Sequence, residues 1–215
     1  REQTARQPLA RGVVTPVSLS LPGVAADSRV WFNPDLRSRN YFVPGVIVNI
    51  LMLVTMSLTS LAIVREKEIG TLEQLMVTPL RPVELMIGKT VPFALIGLFD
   101  LVLVTSLALA IFHIPFRGSA LVLLASGVCY LMTTLGAGLF ISTVSHTQQQ
   151  AMMAAFFFTM PAFMLSGFAF PIRNMPEWIQ GLTYLNPLRY FVEIVRGVFL
   201  RGSGADVLWP QMAAL

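Results

Sequence analysis

Four long apolar runs, separated by polar breaks, set the pattern of this chain. They cover about Phe42 to Val64, Thr90 to Phe112, Ser119 to Ser142 and Ala151 to Phe170. Each holds roughly 20 residues, enough for a helix rising 1.5 Å per residue to cross a hydrocarbon core about 30 Å thick. Asp100 is the one formally charged side chain well inside any of them. A helix satisfies its own backbone hydrogen bonds, which lipid cannot do, so the runs predict spanning helices. Gly127, Gly136 and Gly138 in the third run fit close helix–helix packing. Gly136-x-Gly138 lies within the span and is not a phosphate loop.

The polar breaks carry their own signals. The links His113 to Gly118 and Thr143 to Gln150 are short, whereas Arg65 to Lys89 is longer and charged. Arg65 and Lys67 end the first span, where cations meet the helix dipole favourably. Gly70 permits a sharp turn. Thr71 then matches an N-cap, and Gln74 three residues on completes a capping box. The short helix so started would stop at Thr78-Pro79. Lying across the membrane surface, it would be a rigid peg for another protein to grip. A solvated connector between two spans accounts for the same residues equally well.

Past the fourth run, Pro176 opens one helix with Glu177 in its first turn, and Asn186 N-caps a second at Pro187. In that second helix Arg189, Glu193 and Arg196 fall at i, i+4 and i+7 on an otherwise apolar rod. With Trp178, Tyr184 and Tyr190 nearby, residues 171–204 predict interfacial or re-entrant helices. An ordinary loop with one surface helix is the alternative. A last span would begin near residue 206. Residues 1–41 differ from the rest: six Arg, several Pro and Gly, and alternation such as Val17-Ser18-Leu19-Ser20-Leu21 predict the tail of a water-exposed domain of strands and turns. The chain opens on Arg1 and closes as Val207-Leu208-Trp209-Pro210 starts a new apolar stretch, so it is expected to be a piece of a longer protein.

Composition sharpens the class. Charged residues make up 12% of the chain and hydrophobic ones 55%, against roughly 25% charged in soluble domains. Mean hydropathy is +0.70. So few charges cannot cover the surface of a soluble fold this size. The net charge of +4 does not indicate nucleic acid, because 13 of the 15 basic residues are Arg scattered over loops. The lone Cys129 and the isolated His113 and His146 build neither a disulfide nor a metal site. Gly88-Lys89-Thr90 imitates a P-loop end, but Val83 stands where the first glycine is needed. Ser166-Gly167 lacks the preceding glycine of a nucleophile elbow, and no H-E-x-x-H or intramembrane Asp pair occurs. No catalytic, cofactor or metal site is expected. Asp100 has two readings. A bare charge at mid-span costs roughly 2.5–3.5 kcal/mol, so it is either the carboxylate of an ion- or proton-coupled transporter or a structural group bonded to Asn49, Thr55 or another span.

The loop Arg65-Glu66-Lys67-Glu68-Ile69-Gly70-Thr71-Leu72-Glu73-Gln74-Leu75, continuing through Thr78-Pro79-Leu80-Arg81-Pro82 to Ile87-Gly88-Lys89, resembles the signature loop of ABC-2 type transporter permeases. Asn186-Pro187-Leu188-Arg189-Tyr190 and Arg196-Gly197-Val198-Phe199-Leu200 resemble that family's segment before its final span. The similarity runs from about Trp31 onward and is closest to the multidrug-type branch, with a large external domain between spans one and two. It implies an all-α integral membrane protein, a polytopic transmembrane helix bundle of the type V exporter kind. The tail of an extracytoplasmic α/β domain would occupy 1–41 and the transmembrane domain 42–215, holding spans two to five of six.

The resemblance also implies partners. Two permease subunits, identical or different, would pair in the bilayer, each docked on a cytoplasmic ATP-binding subunit that carries the ATP and Mg. Glu66, Glu68, Gly70, Thr71, Leu72, Glu73 and Gln74 would form the coupling element, its helix running from about Leu72 to Val77. The implied work is efflux of an amphipathic substrate (drug, lipid or lipid-linked glycan) across the bacterial inner membrane, without an ATPase site in this chain. Charge counting does not favour that orientation. Arg65, Lys67, Arg81 and Lys89 lie on the implied cytoplasmic side, but Arg117, Arg173, Arg189, Arg196 and Arg201 lie opposite. The orientation therefore follows from the resemblance alone.

Overall fold

The computed structural model describes residues 38–71 and 81–215. The expected external tail, up to residue 37, and the peg positions Leu72, Glu73 and Gln74 lie outside the described residues. The first helix, α1 (Ser38–Ile69), runs unbroken past the apolar run it contains. It stops where Gly70 takes φ +85°, a conformation that side chains with a Cβ rarely adopt.

The second helix, α2 (Pro82–Phe112), starts about two turns before the expected residue 90. Arg81 is extended, Pro82 supplies a pre-set first turn, and the Arg81 N–H donates to Glu84 Oε2 at 3.1 Å. Lipid dictates only the apolar part of such a helix; capping decides where it begins. α3 (Ala120–Val144) matches its apolar run closely. α4 (Gln148–Met164) does not reach residue 170. Its 17 residues rise about 25 Å, short of a 30 Å core. After Pro161 the chain tightens, and Gly167 at φ +74° turns it away. Among the described residues, three helices are long and apolar enough to cross a membrane: α1, α2 and α3.

α1 is the hub, packed on α2, α3 and α4. Its Ile47, Val48, Leu51, Met52 and Met56 are almost fully buried. α3 runs parallel to it at close range, because Gly138 has no side chain: a Cβ there would sit 2.9 Å from the Met56 carbonyl oxygen. The Thr55 hydroxyl donates to Thr134 Oγ1 at 3.1 Å across this seam. The buried hydroxyls of Thr55, Thr59 and Ser126 also bond carbonyls one turn back in their own helices. Of the three glycines expected at helix contacts, Gly127 faces Leu101 and Gly138 faces Met56, while Gly136 faces open space. α2 buries only 17% of its most apolar stretch, leaving Leu95, Phe99 and Ile111 exposed. In water that surface would aggregate; in a bilayer it meets lipid.

The chain then folds back through α5 (Glu177–Leu182), α6 (Pro187–Arg196), a π-helical turn (Gly197–Arg201) and α7 (Ala205–Ala213). The expectation for α6 was a helix at the membrane surface. The structure inserts it against α1 and α3, with Leu188, Phe191, Ile194 and Val195 at 0% exposure. Tyr130 of α3 stacks on Phe191 with ring centroids 4.3 Å apart. The apolar stripe is wide enough to complete the core, so burial outweighs a surface position.

Candidate functional site

Two ends of the bundle hold the polar residues, and they are built differently. At the end of α1, successive residues point to different neighbours because each step turns the helix by about 100°. Glu66 forms an ion pair with Lys89 of α2. Lys67 donates to the carbonyls of Ser145 at 2.9 Å and Thr143 at 3.4 Å, at the close of α3. Glu68 Oε2 accepts from the backbone N–H of Gln148 at 3.2 Å and from its side chain at 3.0 Å, at the opening of α4. Three consecutive side chains thus tie α1 to three helices.

Glu66 and Glu68 were expected to face a partner; the structure turns both back onto this chain. The reason is that α1 stays helical to Ile69, which aims Glu66 at the Lys89 cation and Glu68 at the free amides opening α4. The Thr71 hydroxyl donates to the Glu66 carbonyl at 3.1 Å, closing α1. Whether it also caps a following helix falls on positions outside the described residues. Lys67, Lys89 and Gln148 were not singled out for this role. Their partners lie dozens of positions away in sequence, and no local pattern marks them.

Asp100 lies half-buried in α2, and its Oδ2 is buried without a hydrogen-bond partner among the described residues. The expected partners within the chain are engaged otherwise. Asn49 donates to the Gly45 carbonyl, and Thr55 to Leu51 and Thr134. Neither reaches Asp100, because α1 presents its polar groups to its own backbone and to α3.

The opposite end is organised by α6. Asn186 Oδ1 accepts the Leu188 N–H at 3.1 Å, and its Nδ2 donates to the Ala162 carbonyl at 2.7 Å. That carbonyl is free because the next turn of α4 tightens, with Ser166 N–H bonding Phe163 instead. Pro187 occupies the first helical position. Arg189 bonds the Thr183 hydroxyl and lies 4.1 Å over the Tyr184 ring. Arg196 lies 3.9 Å over the Tyr41 ring and 5.9 Å from that of Phe168. Glu193 is exposed between them. All three charged residues line a cavity of about 600 Å³ beside Arg173, Gln180 and Arg201. The sequence placed the three on one stripe; it did not indicate that the stripe faces a cavity. Among the described residues no cluster of His, Cys, Asp or Glu is fit to hold a metal.

Comparison with known proteins places this geometry in context. A family model described as "ABC-2 type transporter" matches residues 5–200. The chain is 40% identical over 184 residues to the "Probable multidrug ABC transporter permease YbhR" of Escherichia coli (strain K12), covering 86% of this chain and 50% of that protein. It is 38% identical over 191 residues to the "Probable multidrug ABC transporter permease YbhS" of the same organism, covering 87% and 50%. It is 30% identical over 200 residues to its "Inner membrane transport permease YhhJ", covering 91% and 53%. The chain thus spans about half the length of the curated relatives it matches. No solved structure matches it significantly.

Proposed function

This chain belongs to the ABC-2 type transporter family, and from that premise we propose that it is part of the membrane permease of an ATP-driven exporter. The parent protein is a multi-pass protein of the bacterial inner membrane. It pairs with a second permease, identical or not, and each docks on a separate ATP-binding subunit that holds the ATP and Mg. This chain hydrolyses nothing itself and moves an amphipathic substrate (drug, lipid or lipid-linked glycan) outward. The end with Gly70, Lys89 and Gln148 faces the cytoplasm.

The observation that carries this reading is the three-way tie at the end of α1. A partner gripping the segment after Gly70, including Leu72, Glu73 and Gln74, would pull on the helix that is bonded to α2, α3 and α4 together. Motion of the ATPases would then reach the whole bundle rather than one helix. The test is ATP-driven transport and substrate-stimulated ATPase in the assembled complex. Glu66→Gln and Lys89→Gln should each lower stimulation at unchanged complex yield, and the exchange Glu66→Lys with Lys89→Glu should restore part of it. Normal stimulation in both single variants would remove the mechanism.

A second reading, an ion- or proton-coupled transporter, is favoured by one observation, the buried and unpartnered Asp100 Oδ2. It requires Asp100→Asn to abolish transport in stable protein and activity to follow the proton gradient. Retained ATP-driven transport in Asp100→Asn dismisses it.

A further inference from the structure

The cavity beside α6 contains a charge imbalance that the coupling end does not explain. It lies at the far end of the bundle from Gly70, where α1 begins at Tyr41 and α4 unwinds at Ser166 and Gly167. Its walls carry Arg173, Arg189, Arg196 and Arg201, and Glu193 is the one carboxylate among its described lining residues. No ion pair joins Glu193 to Arg189 or Arg196.

Arg196 is the most telling of these groups. Its guanidinium is partly buried, and its Nε and Nη2 have neither solvent nor a hydrogen-bond partner. Aromatic rings occupy its faces: Tyr41 at 3.9 Å and Phe168 at 5.9 Å. Stacking fixes the plane of the guanidinium and leaves its edge donors as the unmet need. A buried cation so placed is stabilised most by an oxyanion that accepts its forked N–H groups. The neighbouring backbone is specialised as well. The wall continues into the π-helical turn Gly197–Arg201, an element found mostly as short insertions at functional sites. Both glycines that end the local turns, Gly167 and Gly202, have positive φ.

We propose that this cavity is a binding site for the phosphate headgroup of an anionic membrane amphiphile, held by Arg196 with Arg173 and Arg189 around it. Volume supports a headgroup: about 600 Å³ accommodates a phosphate and its glycerol-sized substituent. The adjoining surface supports the tails. Phe157, Phe158, Pro161 and Leu185 form an apolar cleft against α4 and α6, beside the same Asn186 cap. An anionic lipid rather than a zwitterionic one is specified by the surplus of cations over the single Glu193. The site rests on the membrane reading alone and not on ATP coupling, so binding and coupling fail separately.

The test is native mass spectrometry of the full-length permease, titrated with phosphatidylglycerol or phosphatidylcholine after delipidation. Phosphatidylglycerol should form a one-lipid adduct at about tenfold lower concentration than phosphatidylcholine, the scale of one charge-assisted bidentate contact. Arg196→Gln should remove most of that preference, and Arg196→Lys should recover only part, because an ammonium lacks the fork. Arg173 is exposed, so Arg173→Gln leaves packing intact and should weaken phosphatidylglycerol by about threefold. Excess inorganic phosphate should not displace the lipid. Equal binding of the two lipids, or an unchanged preference in both Gln variants, overturns the proposal. Displacement by inorganic phosphate overturns the lipid as its ligand.

Discussion

At the scale of single residues, the side chains that matter are those whose needs the chain itself leaves unmet or meets only across long separations. Tyr130 is fully buried with its hydroxyl unpartnered among the described residues, while its ring stacks on Phe191. Removing that hydroxyl deletes a desolvation penalty and keeps the stack. Tyr130→Phe should therefore be neutral or stabilising by up to about 1 kcal/mol, read as the thermal midpoint of the purified permease in detergent. A loss of stability would reveal a hidden partner for the hydroxyl. Gly70 behaves oppositely. It has open space around it but φ +85°, so the cost of a side chain is backbone strain rather than a clash. Gly70→Val should cost about 1–2 kcal/mol locally and re-aim the segment that follows. The readout is lower ATPase stimulation by a membrane-inserted, normally assembled variant.

At the scale of elements, α6 is held by one side chain serving two helices. Asn186 caps its own helix and also satisfies the Ala162 carbonyl that α4 leaves open. Asn186→Asp keeps the cap acceptor but loses the amide donor, and Asn186→Ala loses both. The expected order of stability is wild type, then Asp, then Ala, with Ala lower by about 1–2 kcal/mol or more. Equal stability of Asp and wild type would mean that the link to α4 contributes nothing. The cap itself was legible from Asn186-Pro187, since it depends on neighbours in sequence. Burial of α6 was not, because an amphipathic helix reads the same at a membrane surface and against a protein core.

At the scale of the whole molecule, two seams decide whether the bundle holds. Gly138 sets the spacing of α1 and α3, and a Cβ there would meet the Met56 and Thr59 backbone and side chain at 2.9–3.0 Å. Gly138→Leu should separate the helices, break the Thr55–Thr134 bond and cost about 1–3 kcal/mol, seen as reduced yield of folded permease. Topology is checked by labelling with a membrane-impermeant thiol reagent, in a background with Cys129→Ala. Cysteines at Arg117 and Asn174, both exposed at the cavity end, should react from outside intact cells, and one at Gln149 should not. Labelling of Gln149 from outside would invert the orientation and place the tied end of α1 beyond reach of any ATPase.

The membrane class, the three spanning helices, the Gly70 turn and the Asn186 cap were all decided by the sequence itself. Each rests on composition or on residues within a few positions of one another, where helix periodicity and capping act. Tertiary structure alone decided that Glu66, Lys67 and Glu68 bind three different helices, that α6 is buried, and that α4 stops at Met164. It also decided that four arginines spread over positions 173–201 converge on one cavity. Those outcomes depend on which helix face meets which neighbour, and sequence distance says nothing about that until the apolar faces have packed.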